Sequence, residues 1–114
     1  FRKETSDWDI GLADKTDDVT YLKTLEGALE KLHQNVKPDF VFYLCGVDVI
    51  AEDKLGRLGL SMSGCKQRDE MVLKWCRLHD FPVQCSMGGG YVPELSILIE
   101  AHANTFRLAH DIYF

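Results

Sequence analysis

Two short stretches of this 114-residue sequence have the residue types and spacing to do chemistry. The first is Gly88-Gly89-Gly90-Tyr91, where three glycines strip a length of backbone of side chains. Such a stretch permits positive φ and lets a ligand approach the main chain closely. A phosphate cradle would have the same look, but no GxGxxG and no Lys-Ser/Thr follows, so a nucleotide loop is poorly supported. Tyr91 then stands at the rim of any pocket the glycines make; read alone, it is a packing or solvent-exposed loop residue before it is a catalytic one. The second stretch is Asp48 to Arg57, with Asp53 an acceptor-only carboxylate that, read alone, is a cap or solvated turn residue before it is a metal ligand. Asp48 is expected to bond neighbouring backbone, and Arg57 to pair with Asp48, Glu52 or Asp69.

The histidines offer no further help. His33 and His79 fall near the ends of expected helices, where a cation favours the dipole. His102 lies on an apolar stripe and reads as a core histidine, and His110 is close to the tail. With no HxH or HExxH pattern, neither a complete zinc site nor a Ser/His/Asp triad can be assembled from these residues. Cys45, Cys65, Cys76 and Cys85 form no CxxC and read as small buried hydrophobes in a reducing compartment. Cytoplasm is the expected location, with the nucleus open to a eukaryotic protein.

These groups need elements to place them. Leu22, Leu25, Leu29, Leu32 and Val36 recur at steps of three and four, which predicts a helix that starts behind the acidic Asp14–Asp18 turn and stops before Pro38. Phe40 to Cys45 is a continuous apolar run, expected to be a strand covered on both faces. The residues 46–62 form a long loop, and a second helix is expected from Ser61 or Ser63 to about His79, with Met71 or Val72, Trp75, Cys76 and Leu78 inward. Pro82 to Met87 predicts a second strand. Pro93 would open a third helix whose stripe is Leu95, Leu98, Ile99, His102 and Phe106. A brief strand is also expected at Trp8, Ile10 and Leu12. Strands alternating with helices imply an α/β fold with a parallel sheet flanked by helices, joined by right-handed crossovers. Loops beyond the carboxyl ends of such strands carry the sites, so 46–62 and 88–92 should share one edge of the sheet.

Composition sets outer bounds. The chain is 46% hydrophobic and 27% charged, enough for a core and far from a disordered balance. A net charge of −5 argues against a phosphate-binding surface, so nucleic acid is not an expected partner. No apolar run reaches the roughly 20 residues of a membrane helix, and no membrane association is expected.

Set side by side, CGVDVIAEDKLGRLGLS and MGGGYV resemble two signatures of the histone deacetylase superfamily, above all its bacterial and class IV branch. FRKETSDWDIGL, Asp17-Asp18 before Tyr21-Leu22, Lys37-Pro38-Asp39, Arg68-Asp69 and Ala101-His102-Ala103-Asn104-Thr105 match in order. The likeness covers essentially the whole chain but only the last third of a family member. It implies that residues 1–114 are the C-terminal part of a single deacetylase domain with the arginase/deacetylase-like three-layer fold, an expectation that the opening at Phe1 rather than Met suits. It further implies a Zn2+-dependent hydrolase that removes acetyl or other acyl groups from acyl-lysine or acylated small amines. By position, Asp53 would be a zinc ligand, Tyr91 the catalytic tyrosine, and Gly89 and Gly90 the lining of the channel for the acyl-lysine stem. The family's Asp-x-His ligands and histidine pair have no counterpart here, and Glu52 stands where the family has glycine. This segment alone is therefore expected to be inactive, and its exposed strand edge and apolar faces should make it self-associate. The competing expectation is a non-catalytic α/β module that binds a ligand or partner through its glycine loop.

Overall fold

The computed structural model describes residues 2–114, in the order α1 (Asp18–Asn35), β1 (Val41–Leu44), α2 (Met62–Leu78), β2 (Val83–Ser86) and α3 (Leu95–Tyr113). The two strands pair in parallel, Val41 opposite Val83 through Leu44 opposite Ser86, which is the predicted α/β arrangement of parallel strands flanked by helices.

Local chemistry fixes the starts of α1 and α2. Asp17 caps α1 by accepting the Thr20 N–H at 2.9 Å, as the acidic run before the helix predicts. Ser61 caps α2 by accepting from Gly64 N–H, and its own N–H and hydroxyl donate to Asp18 on α1. One carboxylate thus ties the start of α1 to the start of α2. α2 ends through Asp80 at φ 57°, with Phe81 N–H donating to Cys76 O. Pro93 precedes α3 by two residues rather than occupying its first turn.

Two apolar clusters hold the elements together. Leu29, Val72 and Cys76 are buried with Leu25, Leu32, Val41, Tyr43, Trp75 and Val83 around them, so α1 and α2 lie on that side of the strands. Val47, Ile50, Cys65 and Ala101 form the other cluster, joined by Met62, Ile97 and Leu98. This second cluster sits under the long loop and fixes it to α2 and α3.

Four expectations need correction. No strand forms at Trp8–Leu12; Trp8 instead stands under the Lys31 ammonium, 5.6 Å from the ring centre, because no described neighbour offers the segment a ladder. β1 is covered on one face only: Phe42 and Leu44 are 76% and 72% exposed, since side chains alternate and the helices meet only the Val41 and Tyr43 side. On α3 the inward residues are Leu98, Ala101, Thr105 and Leu108, while Leu95, Ile99 and Phe106 face out. On α2 the buried stripe is Cys65, Arg68, Asp69, Val72, Leu73 and Cys76, and Leu78 is exposed. Among the described residues no helix is long and apolar enough to cross a membrane.

Candidate active site

Because β1 and β2 are parallel and end in register at Leu44 and Ser86, the loops that follow them leave from the same edge. The ladder runs on past the strands: Cys45 N–H donates to Ser86 O at 3.0 Å and Val47 N–H to Gly88 O at 3.1 Å. The long loop then folds back on itself through an isolated parallel bridge between Ile50 and Leu60. Ile50 and Leu60 are both fully buried and anchor it, leaving 51–59 as its outer part.

Asp53 is buried at the centre of this part. Its Oδ1 accepts the N–H groups of Leu55 and Gly56, each at 2.8 Å, and its Oδ2 accepts the Tyr91 N–H at 2.8 Å. Lys54 N–H donates to Tyr91 O at 3.2 Å, so two bonds lock the Asp53 turn to the glycine loop. Burial works against the charge of Asp53, but the N–H donors of Tyr91, Gly56 and Leu55 outweigh it and hold the carboxyl below the usual carboxylate range. A carboxylate kept ionised with one donor on Oδ2 retains lone pairs for a further cation.

The glycines are used unequally. Gly89 and Gly90 have φ of 63° and 111°, whereas Gly88 does not enter the positive-φ region. A Cβ on Gly89 would stand 2.9 Å from the Asp48 side chain, and one on Gly90 would overlap Leu98. Tyr91 then presents its ring outward, 59% exposed.

Asp53, Tyr91, Gly89 and Gly90 therefore meet at one edge, as the sequence suggested, and other readings change. Asp48 does not bond the backbone with its carboxylate; it is exposed and packs against Gly46 and Gly89. Among the described residues Arg57 pairs with none of Asp48, Glu52 or Asp69, and its carbonyl accepts from Lys15 N–H at 2.6 Å. Glu52 is exposed. His102 is half-buried outside both clusters, with Nε2 beside Gly90. His33 and His79 stack at 3.8 Å where α1 and α2 hand over to the strands, at the opposite end of the sheet.

One group escaped the sequence reading as part of the site's support. Asp69 has no exposed surface and accepts from Tyr43 on β1 at 2.6 Å, from Thr105 on α3, and from Arg68 Nε at 2.9 Å. Burial pushes the Tyr43 phenol up, so it stays a donor. The signal was present: positions 65, 68, 69, 72, 73 and 76 make one helical stripe with two charges in it.

Among the described residues no three His, Cys, Asp or Glu side chains gather as a metal site needs. Asp53 fits the part of one ligand; by itself this set does not hold a metal.

The histone deacetylase domain matches residues 2–106. The chain belongs to the histone deacetylase family. This family chain is 41% identical over 112 residues to an uncharacterized protein of Picosynechococcus, which covers 98% of the chain and 37% of that protein. It is 38% identical over 72 residues to histone deacetylase 2 of Arabidopsis thaliana, 63% of this chain and 19% of that one. The crystal structure of an acetylpolyamine aminohydrolase from Burkholderia pseudomallei superposes with a TM-score of 0.74 at 16% identity, over 91% of this chain and 28% of that one; this likeness shows the fold alone. The chain thus spans 37% and 19% of the lengths of these two relatives.

Proposed function

We propose that the protein carrying this segment is a zinc-dependent hydrolase that removes acetyl or other acyl groups from acyl-lysine or acylated small amines. The observation that carries the reading is the 2.8 Å bond from Tyr91 N–H to Asp53 Oδ2, which joins the two motif residues at one sheet edge. Family membership supports the reaction class.

In this reading Asp53 gives one carboxylate to the metal, and the remaining ligands lie outside these 114 residues. When bound, zinc polarises the acyl carbonyl and lowers the pKa of a water. Tyr91 contributes the hydroxyl that donates to the carbonyl oxygen as it gains charge. Its main chain is fixed by Asp53 and Lys54 while its ring is exposed, so the hydroxyl extends from a fixed base. At Gly89 and Gly90 a Cβ would run into Asp48 and Leu98, so only glycine lets the backbone turn there, and in this reading that bare backbone lines the path of the alkyl stem.

The test is the zinc content and acetyl-lysine hydrolysis of the full natural protein beside Asp53→Ala. Stoichiometric zinc in the wild type, lost together with activity in the variant, is expected. A wild type with neither metal nor hydrolysis, and a variant that behaves identically, overturns the reading in favour of a binding module.

A further inference from the structure

We infer that Arg68 is a positioning residue for this site, oriented by Asp69 and acting on the glycine loop through the peptide between Gly46 and Val47. The inference deepens the proposed hydrolase reading and rests on it for its catalytic consequence.

The pair is deeply buried, Arg68 at 4% and Asp69 at 0% exposure. Burying two charges is expensive, and apolar residues of similar volume commonly serve stability as well or better. Stability alone therefore leaves the pair unexplained, and its contacts supply the reason. Arg68 Nε donates to Asp69 Oδ1 at 2.9 Å, and Nη2 stands 2.8 Å from the same oxygen as an ion-pair contact without a hydrogen bond. That frees Nη1 to donate to Gly46 O at 2.6 Å. Gly46 is the second residue past β1, and the peptide it begins is bonded at both ends. Its carbonyl accepts from Arg68, and its N–H, that of Val47, donates to Gly88 O, the first carbonyl of the glycine loop. An apolar side chain at position 68 would leave that carbonyl without its donor.

Asp69 is in turn fixed from three sides, by Tyr43 on β1, Thr105 on α3 and Arg68 on α2. The guanidinium also lies 5.9 Å from the Tyr43 ring centre. Strand and helices thus converge on a planar fork that cannot rotate without breaking several bonds. The Gly46 peptide has little room to shift, since a Cβ there would stand 2.8 Å from Asp48 Oδ1 and 3.4 Å from Gly88 O. A displaced Gly88 carries Gly89, Gly90 and Tyr91 with it, and small displacements of an aligned group cost large factors in rate.

Arg68→Lys in the full natural protein tests this while sparing the buried Asp69 an unpaired charge: a lysine keeps the charge but cannot serve Asp69 and Gly46 together. Val72→Ala, one turn along the same buried stripe, is the control that loses core packing only. We expect Arg68→Lys to speed amide exchange at Val47 by about tenfold or more. We also expect it to lower kcat by about 10–100-fold, the usual range for a supporting partner, with KM within about twofold and zinc retained. Val72→Ala should leave both the Val47 exchange and kcat near wild type. Wild-type exchange at Val47 in Arg68→Lys, or a Val72→Ala variant equally slowed in hydrolysis, overturns the assignment. If the wild type hydrolyses no acylated amine, the function reading fails, and the exchange comparison still decides whether Arg68 sets the loop.

Discussion

Replacing Gly90 with alanine should damage the site far more than the same change two residues earlier. At Gly90 φ is 111°, outside even the small left-handed region that side-chain-bearing residues visit, and such a conformation costs roughly 1–3 kcal/mol. The new methyl would also overlap Leu98 Cδ1 and stand 3.4 Å from His102 Nε2 and Val47 Cγ2. Leu98 is the tip of a flexible side chain but packs on the Val47, Ile50, Cys65 and Ala101 cluster, so making room disturbs that packing. Overpacking of this kind costs about 1–3 kcal/mol. The two effects together give a loss of about 2–6 kcal/mol, against a total stability of roughly 5–15 kcal/mol. Gly88 has neither problem: its φ is ordinary, and its nearest neighbour would be Leu44 Cδ1 at 3.3 Å, on a side chain that is 72% exposed and free to move. Gly88→Ala should stay within about 1 kcal/mol of wild type, as ordinary surface changes do. Urea denaturation and acyl-lysine hydrolysis of both variants in the full natural protein are the assays. Equal midpoints and equal rates for the two would refute the claim that only two of the three glycines are needed for their backbone.

Three further outcomes follow from particular contacts. Gly27 lies exposed in the middle of α1 with open space where a Cβ would go, so Gly27→Ala should stabilise by about 0.5–1 kcal/mol, read as a rise in Tm; a fall contradicts it. Burial pushes the thiols of Cys65, Cys76 and Cys85 up to about 11 from 9.0. The folded state thus favours the neutral thiol: this contribution is fully present below pH 9.0 and is lost as pH rises through about 11, and native labelling at pH 8 should be slow. Rapid native labelling of Cys65 or Cys76 would contradict the burial. The 114-residue chain alone, with Phe42 and Leu44 bare on the outer face of a two-stranded sheet, should self-associate at micromolar concentration. Light scattering that returns a clean 13.0 kDa species would count against it.

The sequence carried the order of elements because each has a strong local signal. The three-and-four spacing of Leu22 to Leu32, the apolar run before Gly46 and the stop signals at Pro38 and Gly88 leave little choice. Parallel pairing then forced both loops to one edge, and the bond between Asp53 and Tyr91 fulfils that expectation. What local pattern could not tell was which face meets what. Phe42 and Leu44 read as buried because composition does not say whether a second layer is present among the residues in hand. On α3, Thr105 and Asn104 face inward while Ile99 and Phe106 face out, because the inward face must satisfy Asp69 as well as pack. Arg68 and Asp69 were not picked out as buried support for the same reason: a period shows a stripe, but hydrogen bonds spanning 22 and 36 residues are invisible to it. The alternation at Trp8, Ile10 and Leu12 matched a strand pattern with no described partner to pair with.

The central claim is that Tyr91 acts on the reacting acyl group from a loop set by Asp53. The most direct measurement is kcat, KM and zinc content of Tyr91→Phe beside wild type in the full natural protein, with an acetyl-lysine peptide. Tyr91 makes no side-chain bond within the described residues, so loss of its hydroxyl should leave fold and metal intact. The account predicts a fall in kcat of about 10²–10³-fold with zinc unchanged, as for loss of one oxyanion donor. A variant that turns over at the wild-type rate would contradict it, and would leave the Asp53–Tyr91 junction a structural clasp rather than part of an active site.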